Sequence, residues 1–131
     1  MIPDRIIEHG TLRTDGFRAA VEVRIPWYRA LPASCIAGAG LTIDGVAAST
    51  DSLRWEMNGR SRTFAEMVDD VDEWWFPTDS AVLSGDLPVD PSAEHEVSVD
   101  LTLYIPYIVI GENEVLHIEE HDTKKMKAVA A

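Results

Sequence analysis

An all-β fold, either an antiparallel β-sandwich or a jelly-roll-like barrel, is predicted for this 131-residue chain by three observations. Two long stretches alternate apolar and polar residues, and turn dipeptides separate the apolar runs. In the first stretch, Phe17, Ala19, Val21, Val23 and Ile25 hold the odd positions, with Arg18, Glu22 and Arg24 among the even ones. In the second, Val97, Val99, Leu101, Leu103 and Ile105 alternate with Ser98, Asp100, Thr102 and Tyr104. Successive strand side chains point to opposite faces, so each run is a strand with one buried face. Pairing such faces removes apolar area from water, at about 25 cal/mol per Å².

The turn signals then divide the chain into seven to nine short strands. Asp44-Gly45 and Asn58-Gly59 lie between short apolar runs and favour the type I′ hairpin turn. Thr63-Phe64-Ala65-Glu66 has capping-box spacing, which predicts one short helical turn around 64–72. Residues 84–95, rich in Gly, Pro and Asp, read as a connection into the second long strand. Gly111-Glu112-Asn113 reads as a turn from YIPYIVI into EVLHIEEHD. The whole of 1–131 is read as a single domain, with Met126 to Ala131 frayed.

Composition narrows the function classes. Hydrophobic residues make up 46% and charged residues 26%, ordinary values for a globular chain. A formal net charge of −12 argues against nucleic acid as a partner, because the surface would repel phosphates. No apolar run is long enough for a membrane span, and MIPDRIIEHG lacks the pattern of a secretory signal. A single cysteine, Cys35 in the apolar string ASCIAG, fits an inert buried thiol in a reducing compartment. The expected location is cytoplasmic.

The sharpest catalytic-looking string is His117-Ile118-Glu119-Glu120-His121, which matches the H-x-x-E-H zinc motif. That motif needs a helix to bring both histidines to one face, whereas EVLHIEEHD reads as strand. On a strand His117, Glu119 and His121 share a face, which keeps a cupin-like metal site open as an alternative. His9 and His95 have no sequence partner, and His95 between two glutamates reads as a surface residue. The acidic run Asp69, Asp70, Asp72 and Glu73 lacks EF-hand spacing and reads as a solvated helix end. No phosphate loop, serine elbow or paired-carboxylate frame is present, so the chain alone does not read as an enzyme.

The aromatic residues point elsewhere. Trp55 and one of Trp74 or Trp75 are expected to fill the core. Trp27-Tyr28-Arg29 instead sits between Pro26 and Pro32, which stiffen the loop and remove two backbone donors. Trp, Tyr and Arg are the types enriched at binding hot spots, so this loop reads as an interface or ligand contact.

The string FRAAVEVRIPWYRALPASCIAG, followed by LTIDG, WWFPTDSAVL and EHEVSVDLTLYIPYIVI, resembles the small (β) subunit of bacterial C-glycoside deglycosidases. The match to that family's Arg-x-Pro-x-Tyr-Arg-x-Leu-Pro segment consists of Arg24, Pro26, Tyr28, Arg29, Leu31 and Pro32, and the likeness spans roughly residues 10 to 110. The resemblance implies a heteromeric carbon–carbon lyase. Its α subunit would be a TIM barrel carrying a divalent metal, usually manganese, and a histidine base. Together the subunits would cleave the bond between a 3-oxo sugar and a flavonoid or other aromatic aglycone. The β subunit would be a noncatalytic β-sandwich without a cofactor of its own, stabilising the partner and shaping its active-site surroundings. Arg24, Trp27, Tyr28, Arg29, Leu31 and Trp75 are then the expected interface residues. Two alternatives are a self-sufficient metal enzyme using His117, Glu119 and His121, and a sugar-binding module in which Trp27 or Trp75 stacks on a pyranose.

Overall fold

The computed structural model describes residues 6–26, 29–112 and 114–130, and for 107, 109 and 110 the backbone alone. Its strands begin with β1 (Arg13–Thr14), β2 (Arg18–Val23), β3 (Leu31–Pro32), β4 (Ile36–Ile43), β5 (Val46–Ala47), β6 (Arg54–Met57) and β7 (Arg60–Arg62). Helix α1 (Phe64–Met67) follows. Then come β8 (Trp74–Trp75), β9 (Ala81–Asp86), β10 (Glu94–Gly111), β11 (Glu114–Lys127) and β12 (Val129–Ala130). The all-β prediction holds.

One sheet has the order β12-β1-β2-β9-β6-β7, a second the order β11-β10-β4-β5, and β3 and β8 form a separate pair. The pairings are antiparallel apart from β1 with β12, which is parallel. Among the described residues the two large sheets do not join into a ring, so the architecture is a two-sheet sandwich. Their inward residues share one core: Ala19, Val21 and Val23 of β2 and Leu83 of β9 from one sheet, Val97 to Ile105 of β10 from the other. All five odd positions of the second alternation are at most 1% exposed.

Local chemistry accounts for the connections. Asp44 and Gly45 take φ of 53° and 81°, and Asn58 and Gly59 take 55° and 78°. Positive φ at both central residues defines the type I′ turn that matches strand twist. The capping box also forms: Thr63 Oγ1 accepts from Glu66 N, and Glu66 Oε1 accepts from Thr63 N at 2.9 Å. The helix is shorter than its predicted range, ending at Met67. Beyond it Asp70 Oδ1 accepts from the N–H groups of Asp72 (2.9 Å) and Glu73 (3.1 Å), an Asx turn that competes with further helix.

Three expectations need correction. Phe17 is not on the buried face: it is 80% exposed, because Asp15 Oδ1 takes the N–H groups of Phe17 and Arg18 in the β1–β2 turn. The C-terminal residues described are not frayed. Met126 and Ala128 are buried, and Val129 N donates to Leu12 O at 2.9 Å, so β12 closes the edge beside β1. Finally, His95 is buried, not on the surface. Its Nδ1 lies 2.5 Å from Asp44 Oδ2 and its Nε2 lies 2.7 Å from Asp90 O.

Candidate docking site

The proline-bracketed loop leaves β2 and enters β3, and the chain's own body fixes both ends. Arg24 forms an ion pair with Glu8 and donates from Nη1 to Thr78 O at 3.2 Å, while Ile25 and Pro26 are buried. Trp27 and Tyr28 lie outside the described residues. Arg29 is exposed. Leu31, by contrast, has no exposed surface, and its backbone pairs with Trp75 in the β3–β8 ladder. Trp75 is also fully buried, packed edge-on against Trp55 and donating from Nε1 to Asp79 O at 3.1 Å. As side chains offered to a partner or a sugar ring, Leu31 and Trp75 are therefore corrected: both belong to the core.

Exposed aromatic residues flank Trp75. Because neighbouring strand residues point oppositely, burying Trp75 turns Trp74 and Phe76 outward, where they are 40% and 49% exposed. Just upstream, Val68 and Val71 are 64% and 62% exposed. Sequence reasoning missed these two because it placed them in a solvated helix end. For Trp74 and Phe76, the alternation Trp74-Trp75-Phe76 signals that the outer two rings share one face and the central ring takes the other, and contact with Trp55 decides which face is buried.

The acidic run beneath is a braced structure and not simply a solvated one. Arg62, itself buried, pairs through Nη1 with Asp70 Oδ2 at 2.5 Å and through Nη2 with Glu73 Oε2 at 3.0 Å, and Arg60 joins Glu73. The Arg62 hydrogen bond, followed by the N–H groups of Asp72 and Glu73, lowers the Asp70 carboxyl to about 2. Backbone bonds tie this segment to the end of the loop: Ser34 N donates to Asp70 O and Ala33 N to Glu73 O, both at 2.8 Å.

The histidine strip behaves as strand geometry dictates. His117, Glu119 and His121 lie opposite Tyr104, Thr102 and Asp100 on the outer face. At ~3.3 Å per residue, His117 and His121 are about 13 Å apart along β11, too far for bonds of about 2 Å to one ion. His121 is engaged with Asp100 Oδ1 (2.6 Å) and Thr123 Oγ1 (2.9 Å). Among the described residues, no three His, Cys, Asp or Glu side chains converge as a metal site. A groove of about 300 Å³ on the other sheet is lined by Arg13, Arg18, Ala20, Glu22, Glu56 and Val82, and none of the described residues that line it is aromatic. Cys35 is buried, and burial raises its thiol pKa. Among the described residues, no helix is long and apolar enough to cross a membrane.

The family model for the C-glycoside deglycosidase beta subunit matches residues 6–107. The chain belongs to that family. A C-glycoside deglycosidase beta subunit of Microbacterium trichothecenolyticum is 73% identical over 131 residues, covering 100% of both chains. One from Arthrobacter globiformis is 73% identical over 128 residues, 97% of each chain. A 3'-dehydrocarminate deglycosidase beta subunit of a Microbacterium species is 35% identical over 126 residues, 96% of this chain and 95% of the relative. Membership in this family gives the chain a subunit role in a deglycosylating enzyme, alongside at least one other subunit.

Proposed function

We propose that this chain is the noncatalytic small subunit of a heteromeric C-glycoside deglycosidase. With a metal-dependent TIM-barrel α subunit it would act as a carbon–carbon lyase on 3-oxo-C-glycosides of flavonoid or other aromatic aglycones, in the cytoplasm. The observation that carries this reading is the pairing of family membership with a braced segment that holds four apolar side chains in water beside the loop 24–32. Breaking a carbon–carbon bond next to a keto sugar calls for a Lewis acid on the ketone and a base for the adjacent proton. By family resemblance the partner would hold that divalent metal, usually manganese. The role left to this chain is to stabilise the α subunit and complete its surroundings, with Arg24, Trp27, Tyr28 and Arg29 contributing at the loop.

Co-expression with the α subunit tests this reading. A stable complex whose activity exceeds that of the α subunit alone is expected. An α subunit fully active by itself, with this chain eluting separately, would sink the proposal. Metal analysis of the isolated chain addresses the self-sufficient alternative: stoichiometric metal lost on His117→Ala would favour it.

A further inference from the structure

We infer that the segment 68–76, carrying Val68, Val71, Trp74 and Phe76 with Asp69 and Asp72 between them, is the docking surface for the α subunit, whose facing patch is apolar with a Lys/Arg fringe. The inference rests on the accessory-subunit reading and goes beyond it by naming the surface and the chemistry that it accepts.

Four of the large apolar side chains exposed among the described residues fall within these nine positions. Isolated apolar residues on a surface are unremarkable, but a cluster marks an interaction site. Their exposure does not come from a loose segment. Met67 is fully buried at its start, and Arg62 holds Asp70 and Glu73 from below. The Asp70 side chain captures two following N–H groups, and Ser34 and Ala33 bind its backbone. Trp75 locks into the core between Trp74 and Phe76. Rigid presentation of this kind lowers the ordering cost of association, and Trp is among the residues most enriched at binding hot spots.

The occupant follows from charge. Asp70 and Glu73 are matched by arginines, but Asp69 and Asp72 are exposed between the apolar residues. A second copy of this chain would bring the same acidic fringe and a net charge of −12 against it, a like-charge juxtaposition that disfavours self-association. A partner with a basic fringe gains both apolar burial and attraction. Through β3 and the Ala33 and Ser34 bonds, the segment that presents this surface is tied to the end of the loop 24–32.

The test is titration of this chain against the purified α subunit, with melting temperatures recorded in parallel. Trp74→Ala/Phe76→Ala is expected to weaken association by at least about 30-fold, the loss typical of hot-spot truncation, with little change in melting. Asp69→Lys/Asp72→Lys, which removes no apolar contact, should also weaken it and reduce its dependence on salt. Phe17→Ser, in the β1–β2 turn, should leave it unchanged. If wild type binds and both double variants bind within threefold of it, the surface is wrong and the subunit reading stands. A wild type that fails to bind the α subunit overturns the reading itself. Self-association abolished by Trp74→Ala/Phe76→Ala would make the occupant a second copy and overturn the inference.

Discussion

Trp75 meets Trp55 edge-on, with ring centroids 4.9 Å apart, planes at 81° and neither residue exposed to solvent. Edge-to-face contact places the positive rim of one ring on the negative face of the other, adding to the area that both bury. The pair joins β8 to β6, two elements about twenty residues apart in sequence. It also sets the polarity of β8, since an inward Trp75 obliges Trp74 and Phe76 to face out.

Substituting the two adjacent tryptophans should therefore give losses of very different size. Trp75→Ala removes a fully enclosed ring and is expected to cost about 3–5 kcal/mol of folding stability. Trp74→Ala acts at a half-exposed position and should cost less than about 1 kcal/mol. Urea denaturation of the two variants checks this. Equal losses would mean that the division of β8 into a core face and a presented face is wrong.

The His95 clamp predicts a pH dependence. Both ring nitrogens face oxygen acceptors, Asp44 Oδ2 and Asp90 O, so both must donate, and only the imidazolium does so. The Asp44 hydrogen bond first and the Asp90 carbonyl second raise the His95 pKa above its ordinary 6.5. The folded value then exceeds the unfolded one. The stabilisation is complete below about pH 6.5 and is lost as pH rises through the folded value. Thermal melts from pH 5 to 9 should show wild type losing its advantage over His95→Gln toward the alkaline end. Parallel curves would show that the ring is not held as a cation.

These two cases show what the sequence makes legible and what it does not. Alternation in Val97–Ile105, the two Asx-Gly turns and the capping box are local rules, and the structure obeys each of them. The choice between Trp74 and Trp75 depends on which ring reaches Trp55, a contact across about twenty residues that no local pattern encodes. His95 reads as a surface residue because its neighbours are glutamates, whereas Asp44 arrives through a hairpin turn far away in sequence and Asp90 through the fold-back of the connection just upstream. The acidic run looked solvated for the same reason: Arg62 lies on β7, and only the fold brings it beneath Asp70 and Glu73. Phe17 failed in the other direction, where a turn closed by Asp15 cut the alternation one residue short.

Asp122 provides a further test of long-range stitching. It is buried on β11, where it accepts from Ile7 N at 2.9 Å and from Lys124 Nζ at 2.6 Å. Burial works against its charge, but the Lys124 ammonium and the Ile7 N–H outweigh that and lower its pKa. Ile7 in turn bridges to Val23 at the end of β2, so this carboxylate links the two sheets near the start of the loop 24–32. Asp122→Ala leaves the buried Ile7 N–H without its acceptor and should cost about 2–3 kcal/mol, as for other charged hydrogen bonds. Hydrogen exchange at Ile7 should accelerate in the same variant. Unchanged protection there would show that the tether carries nothing.

Gly85 on β9 sits where a neighbouring segment approaches closely, and its packing predicts a rescue. A Cβ at this position would lie 2.7 Å from Ala48 Cβ and 3.1 Å from Leu53 Cδ2. The segment that carries those atoms has little freedom to retreat. Ser52 Oγ accepts from Asp86 N at 3.0 Å, and Arg18 Nη2 donates to Ser52 O at 3.0 Å while pairing with Asp86. Gly85→Ala is therefore expected to destabilise the fold by about 1–3 kcal/mol through overpacking, although its backbone would accept alanine. Removing the opposing methyl should relieve the clash, so Ala48→Gly/Gly85→Ala should lose less than the sum of the single variants. A double-mutant cycle measured by denaturation reports that coupling directly. Strict additivity would place the cost of Gly85→Ala in the strand backbone and not in the contact with Ala48.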